Sequence, residues 1–420
     1  MKSNLWLLLI GKFASVFASS LFTFVAGLTV LKNSESGLQF ALVLLAGTLP
    51  RVLLSPIAGV YADRLDRRKV IISMESSSAL LFFVAGISSI FIEFTLPVFL
   101  LISFTLTTLS TFLSVTLTSS IPLLIEKDQL QKANSLMQSI ASGSSIGSPI
   151  IAGALFLIVP IPFFLISSSI LFGISAILAA KLSFVKKVKK EEKTPMKEEL
   201  KSGFRYLQKN RPLWVLSITA AFLNFFFIAQ EVLFPIVAVK ELKLSAFQFG
   251  FLESTFAVGF LLAALLHATP ALKIIYPLAT TRYSLFVMSI LFIGPAIPLV
   301  VPMSKSFIIL FFVLQFLLMG FFVMRTNMPI QLYIQTKTDP AYLGRVMGVL
   351  ESLAMGIMPL GMVLFGILSD IVPIQWLFVG CTASLLVITI LAALNLTDEI
   401  KEEKEENSTL VKDVSLKTAE

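Results

Sequence analysis

The sequence predicts an all-α integral membrane protein of about twelve transmembrane helices in two pseudo-symmetric six-helix bundles. Three observations predict it. About twelve apolar runs of roughly 20 residues follow one another, the length a helix needs to cross a hydrocarbon core about 30 Å thick. The 420 residues are 56% hydrophobic and only 14% charged, with a mean hydropathy of +0.90, against about 25% charged in water-soluble domains. One long charged interruption near the middle divides the runs into two sets.

The expected spans are 5–31, 38–61, 70–92, 96–121, 136–158, 162–182, 213–239, 247–267, 279–301, 306–332, 345–369 and 374–395. The first carries Lys12 and is too long for a cleaved signal, so it reads as a retained span. Proline and glycine fall inside several spans, where neighbouring helices satisfy the freed backbone groups. The organisation is then an N-terminal six-helix half (1–182), a linker (183–212), a C-terminal half (213–395) and a polar, disordered tail (396–420). In the linker, Thr194-Pro195 reads as a helix start, and Leu200, Phe204 and Leu207 form one apolar stripe of a short amphipathic helix.

Lysine and arginine set the orientation. Arg64, Arg67, Arg68, Lys69, Lys127, Lys132, the cluster from Lys186 to Arg211, Lys273, Lys337, Arg345 and the tail lysines fall on one side. The other side has Lys32, Lys240, Lys243 and Lys305. Both termini are therefore expected in the cytoplasm, with the protein multi-pass in the cell membrane. The net charge of +8 reads as topology rather than as affinity for nucleic acid.

The halves repeat. Ser139-Ile140-Ala141-Ser142-Gly143 resembles Ser352-Leu353-Ala354-Met355-Gly356, 213 residues later. In that register Gly153 meets Gly366, and Ile158-Val159-Pro160-Ile161 meets Ile371-Val372-Pro373-Ile374. Leu5-Trp6 parallels Leu213-Trp214, and Gln39-Phe40 parallels Gln248-Phe249. Parallel repeats imply a substrate cavity between the halves.

Charges inside spans are the main pointer to function, since each costs roughly 2.5–3.5 kcal/mol at mid-span. Glu231 lies more than halfway along span 7, with Asn224 two turns away on the same face. Such a carboxyl is a candidate for proton coupling or for binding a cationic substrate; the bland alternative is a buried hydrogen bond. Glu253 on span 8 is a second candidate. Arg51 and Arg325 either snorkel to the interface or pair with an acid. Lys12, Glu75 and Glu351 read as interfacial. Most of the 38 phenylalanines are expected to face lipid or pack between helices; Phe222, Phe225, Phe226 and Phe227 cluster around Asn224, and a subset lining the cavity would suit a bulky lipophilic substrate. Cys381 is the only cysteine and His267 the only histidine, which excludes an intrachain disulfide and a multi-histidine metal site. No phosphate-binding loop or nucleophile motif is present, so an enzyme is not expected. No cofactor is expected either, and the energy would come from a proton gradient.

Between spans 2 and 3 the chain reads Gly59-Val60-Tyr61-Ala62-Asp63-Arg64-Leu65-Asp66-Arg67-Arg68-Lys69. This resembles the cytoplasmic signature of the major facilitator superfamily: Gly59, Asp63, Arg64, Arg67 and Arg68 match it, and Asp66 replaces its second glycine. The resemblance implies a gating loop in which Asp63 latches onto basic groups or a helix start. Ser148-Pro149-Ile150-Ile151-Ala152-Gly153 resembles the superfamily's antiporter signature, with Ser148 and Ala152 in glycine positions; Pro149 and Gly153 match. Plain small-residue packing is the alternative reading. The loop, the Glu199–Leu207 linker segment and Leu343-Gly344-Arg345-Val346-Met347-Gly348 are similar to the bacterial macrolide-efflux and siderophore-exporter branch. What that implies is export of lipophilic or amphiphilic small molecules by proton antiport, from a lipid-embedded monomer. An uptake permease and a non-transporting membrane partner protein are the rival expectations.

Overall fold

The computed structural model describes residues 2–34, 36–125, 130–182, 196–267, 274, 276–401 and 405. Among them there is no strand. Among the described residues eleven helices have the length and apolarity to cross a membrane. The twelfth expected span corresponds to the 26-residue helix Leu130–Leu155, in which the apolar stretch Ser139–Leu155 is described.

The spans are α1 (Lys2–Asn33), α2 (Gly37–Ala46) with α3 (Leu49–Arg64), α4 (Arg67–Phe91), α5 (Leu96–Leu124), α6 (Leu130–Leu155) and α7 (Ile161–Ala180). The linker helix α8 (Met196–Lys209) follows. Then come α9 (Arg211–Ile236), α10 (Ala246–His267), α11 (Pro277–Leu291) with α12 (Ile297–Val300), α13 (Lys305–Lys337), α14 (Pro340–Ile371) and α15 (Ile374–Asn395). Boundaries follow local chemistry. Proline sits in the first turn of α3, α5, α7 and α11, where its missing N–H costs nothing. The Ser304 hydroxyl accepts from the Phe307 amide to start α13. Span 9 breaks into α11, a 3₁₀ turn over Gly294–Ala296 and α12, as Pro295 and Pro298 remove two helical donors.

The chain forms two compact units. The first holds residues 1–191, 232–254 and 362–371. It contains α1 to α7, the end of α9, the start of α10 and the end of α14. Its core runs through Phe22, Phe82 and Phe172 of α1, α4 and α7, with ring centroids 5.0 and 5.4 Å apart. The end of this unit bearing the α1–α2, α4–α5 and α6–α7 turns is called the far end below. The second unit holds residues 192–231, 255–361 and 372–420, with Phe292 against Phe378 of α15 in its core.

In the second unit α8 lies against the start of α14. Leu207 is fully buried, the Tyr206 hydroxyl accepts from the Asp339 amide at 3.0 Å, and Tyr206 stacks on Tyr342. A Cβ on Gly203 would come within 2.6 Å of the Arg345 carbonyl. The docking face is therefore Gly203, Tyr206 and Leu207; Phe204 sits at its edge, against Trp214. The Thr194-Pro195 start and the tail from residue 406 lie outside the described residues. The short stretch from Thr397 to Lys401 is helical.

Candidate functional site

At the basic turn, α3 runs to Arg64 and α4 starts at Arg67. The Asp66 carboxylate caps α4 by accepting from the Arg68 amide at 3.0 Å and the Lys69 amide at 3.3 Å. An acid thus stands at the glycine position of the signature because it starts a helix here. The Arg67 guanidinium donates to the Ser119 carbonyl on α5 at 2.7 Å, and Arg68 donates to the Ala180 carbonyl that ends α7. Both arginines neutralise the carbonyl-rich ends of helices in their own unit. Space beside Gly59 is open. The side chains of Asp63 and Arg64 lie outside the described residues.

The small-residue motif of α6 is a helix crossing. A Cβ on Gly153 would stand 2.5 Å from the Ala246 carbonyl of α10, and one on Gly250 would overlap the Pro149 carbonyl. Ser254 of α10 donates to the Ile146 carbonyl of α6 at 2.7 Å. Ser148 is fully buried and turns back onto the Ser144 carbonyl. Backbone meets backbone here, and glycine is what permits it.

Glu231, Asn224 and Arg325 belong to the second unit; Arg51 and Glu253 belong to the first. Glu231 is exposed while Ile228, Val232, Leu233, Phe234 and Pro235 around it are buried. A lipid-facing stripe would expose the positions three and four residues away as well. Glu231 is instead an isolated opening in a buried stretch of helix. The Asn224 amide donates to the Ala220 carbonyl of its own helix at 2.8 Å. Glu253 and Arg325 are half-buried, and Arg51 is exposed near the start of α3. Of the phenylalanines near Asn224, Phe225 and Phe226 pack edge to face, and Phe227 meets Phe292.

Two polar groups escape the sequence reading. Glu75 is not interfacial: it is buried between α1, α4 and α7, with Ser15 and Ser175 on its carboxylate. Its helix-facing direction depends on packing that no single span reveals. Asp370, at the end of α14, accepts from the Ser36 hydroxyl at 2.5 Å, the Gly37 amide at 2.5 Å and the Leu38 amide at 3.3 Å. It caps α2 from another span at the far end of the first unit. The repeat register held the clue, since it aligns Asp370 with Leu157 one position before the matched Ile-Val-Pro-Ile.

Among the described residues no cluster of three His, Cys, Asp or Glu side chains could hold a metal. A family model described as the Major Facilitator Superfamily matches residues 8–359 and again 230–418. The chain is similar to macrolide efflux protein A of Streptococcus pyogenes, 24% identical over 397 residues, covering 93% of this chain and 95% of the relative. It is also similar to macrolide efflux protein A of Enterococcus faecalis, 26% identical over 323 residues, covering 76% of this chain and 97% of that protein. Among solved structures, a bacterial homologue of the iron transporter ferroportin in an inward-facing state shares the fold. It has a TM-score of 0.68 and 18% identity, over 94% of this chain and 98% of the other. The nucleoside transporter NupG has the same TM-score at 15% identity, over 94% and 99%.

Proposed function

We propose that this chain, which belongs to the Major Facilitator Superfamily, exports amphiphilic small molecules of the macrolide, drug or siderophore kind in exchange for protons. Membership makes it a membrane transporter. The observation that supports export is the likeness to macrolide efflux proteins along nearly the whole of both chains. In this reading the halves rock about a shared cavity in the cell membrane. Both termini face the cytoplasm, and the protein works as a monomer. No resident cofactor enters the cycle. One charge moving down 100 mV releases about 2.3 kcal/mol, which at about 1.4 kcal/mol per decade sustains roughly a 50-fold substrate gradient.

Glu231 takes the proton or a cationic substrate, with Asn224 two turns away on the same face. Arg51, Arg325 and Glu253 are secondary candidates for the same work. Asp63 and its basic neighbours gate the cytoplasmic end. The test is transport of a fluorescent macrolide in proteoliposomes under an imposed pH gradient. Proton entry on the trans side should drive the macrolide against its own gradient, and Glu231→Gln should cut that accumulation at least tenfold. Undiminished pumping by Glu231→Gln removes the residue from coupling. Substrate moving in the same direction as protons marks an uptake permease, and the absence of flux under every imposed gradient removes transport.

A further inference from the structure

Three helices of the first unit converge on one carboxyl that the proposed cycle does not yet use. Glu75 of α4 is 3% exposed. Its Oε1 accepts from Ser15 Oγ of α1 at 2.5 Å and from Ser175 Oγ of α7 at 2.7 Å. The two hydroxyl oxygens are 2.9 Å apart, and Ser15 Oγ is also 3.1 Å from the Gly11 carbonyl. The second carboxyl oxygen, Oε2, is buried with no hydrogen-bond partner.

A count of hydrogens bears on what this cluster holds. It contains four oxygen–oxygen contacts, Ser15 with Gly11, Glu75 and Ser175, and Ser175 with Glu75. Each hydroxyl brings one hydrogen. With Glu75 ionised, two hydrogens serve four contacts, and a buried anion is left with a bare oxygen. That is among the costliest arrangements in a protein interior. One more proton, on Oε1, changes the account. Glu75 then donates to Ser15, Ser15 to the Gly11 carbonyl, and Ser175 back to Glu75. Oε2 becomes a neutral carbonyl oxygen, whose lack of a partner costs far less.

The charges around the cluster are few. Lys12 of α1 lies within electrostatic reach of Glu75, and Arg51 of α3 lies within reach of Lys12. The other titratable side chains of α3 are Tyr61, Asp63 and Arg64. Neither α5 nor α7, packed against α4, has an acid, a base or a histidine in its sequence. At the start of α4, Asp66, Arg67, Arg68 and Lys69 are occupied with helix ends or exposed. Lys12 does not touch Oε2, which is unclaimed. Its half-buried side chain is the group placed to answer a negative charge there. Glu75 lies eight residues into α4, about 12 Å along the axis from Arg67, in a helix long and apolar enough to cross a membrane.

We propose that Glu75, Ser15 and Ser175 form a proton-holding site of the transport cycle. The carboxylate takes a proton from water on one side of the membrane, and the acid returns it to water on the other. While Glu75 is protonated the serines share its hydrogen. When it ionises, Lys12 turns toward Oε2. This inference rests on the proton-antiport reading, and its test separates the two.

The purified full-length protein is followed by pH-difference infrared spectroscopy and, in proteoliposomes, by pH-driven macrolide accumulation. The expected spectrum contains a protonated-carboxyl carbonyl band that disappears in Glu75→Gln and shifts in Ser15→Ala and Ser175→Ala. The expected transport result is an accumulation at least tenfold lower in Glu75→Gln. A wild-type protein that moves no macrolide sinks the antiport reading, while the infrared bands still decide the site. A spectrum without any band assignable to Glu75 overturns the proposal. So does a Glu75→Gln variant that pumps like wild type, because glutamine preserves the shape and hydrogen bonding of a purely structural hub. If Glu75→Gln does not fold, the band shift in Ser175→Ala carries the decision, and an unmoved band there overturns the site.

Discussion

The starts of α2 and α10 are the same sequence device put to different use. Each opens Ser-x-x-Gln, Ser36 to Gln39 and Ser245 to Gln248, in register across the repeat. At α10 the box closes on itself: the Gln248 amide reaches Ser245 Oγ at 3.2 Å, and the Ser245 amide reaches Gln248 Oε1 at 2.9 Å. At α2 the Ser36 hydroxyl holds the Gln39 amide loosely, at 3.4 Å, and gives its own hydrogen to Asp370 of α14. The partner helices match as well. Gly153 of α6 presses on the Ala246 carbonyl of α10. Its repeat equivalent, Gly366 of α14, presses on Ala41 of α2, where a Cβ would come within 2.5 Å of the Ala41 Cβ. One crossing is held by shape alone at its tip, where Leu157 is 66% exposed. The other carries an acid on a helix start. The repeat supplies equal geometry, and one residue makes one of the two crossings a polar lock at the far end of the first unit.

The largest expected effect comes from blocking the shape-held crossing. In Gly250→Val the new Cβ overlaps the Pro149 carbonyl, a backbone atom that cannot rotate away, so α6 and α10 must part. Overpacking of this kind costs about 1–3 kcal/mol. Gly37→Ala at the lock meets the Ser369 hydroxyl first, and a side chain can turn aside. Melting of the purified protein should therefore fall by several degrees in Gly250→Val and much less in Gly37→Ala. Equal losses would mean that the two crossings do not differ in the way their contacts indicate.

Next in size is the lock itself. Asp370→Ala strands the Ser36 hydroxyl and the Gly37 and Leu38 amides at an exposed helix start, where water replaces most of the lost bonding, so the net cost should be about 1 kcal/mol. Labelling of a cysteine placed at residue 34, in a Cys381→Ala background, should speed up in Asp370→Ala. A double-mutant cycle with Ser36→Ala should show a coupling of about 0.5–3 kcal/mol, the range for groups in one network. The corresponding cycle between Asp370 and Gln248 should show none. Coupling of equal size in both cycles would dissolve the distinction.

How far the sequence reached can be judged from the same residues. The number and order of spans were legible because bilayer thickness forces each helix to declare itself as a long apolar run. Small residues at Gly153 pointed to close helix packing, whereas Asp66, legible only as a replaced glycine, gave no sign of the cap it makes on α4. What stayed hidden depends on register between helices far apart in the chain. Ser15, Glu75 and Ser175 come from three spans separated by 60 and 100 residues. In an apolar span every face looks equally fit for burial, so nothing in α4 alone turned Glu75 inward. Asp370 closed an otherwise ordinary span end, and only its mismatch with Leu157 in the repeat marked it.

The smallest expected effect tests whether that mismatch alone makes the lock. Leu157→Asp places an acid at the tip of α6, in the position that Asp370 holds on α14. The wild-type α10 start has already satisfied the Ser245 amide through Gln248, so the new carboxylate has little to gain and melting should move by no more than about 0.5 kcal/mol. Gln248→Ala by itself should cost about 1 kcal/mol, the usual loss of a capping group. In that background the Ser245 amide has lost its acceptor, so Leu157→Asp has one donor to meet and should restore part of the loss. Labelling at the tip of α6 should then slow, the reverse of the change expected at residue 34 in Asp370→Ala. No recovery in the double variant would show that register between helix tips, and not the identity of one residue, decides where a helix start is capped from outside.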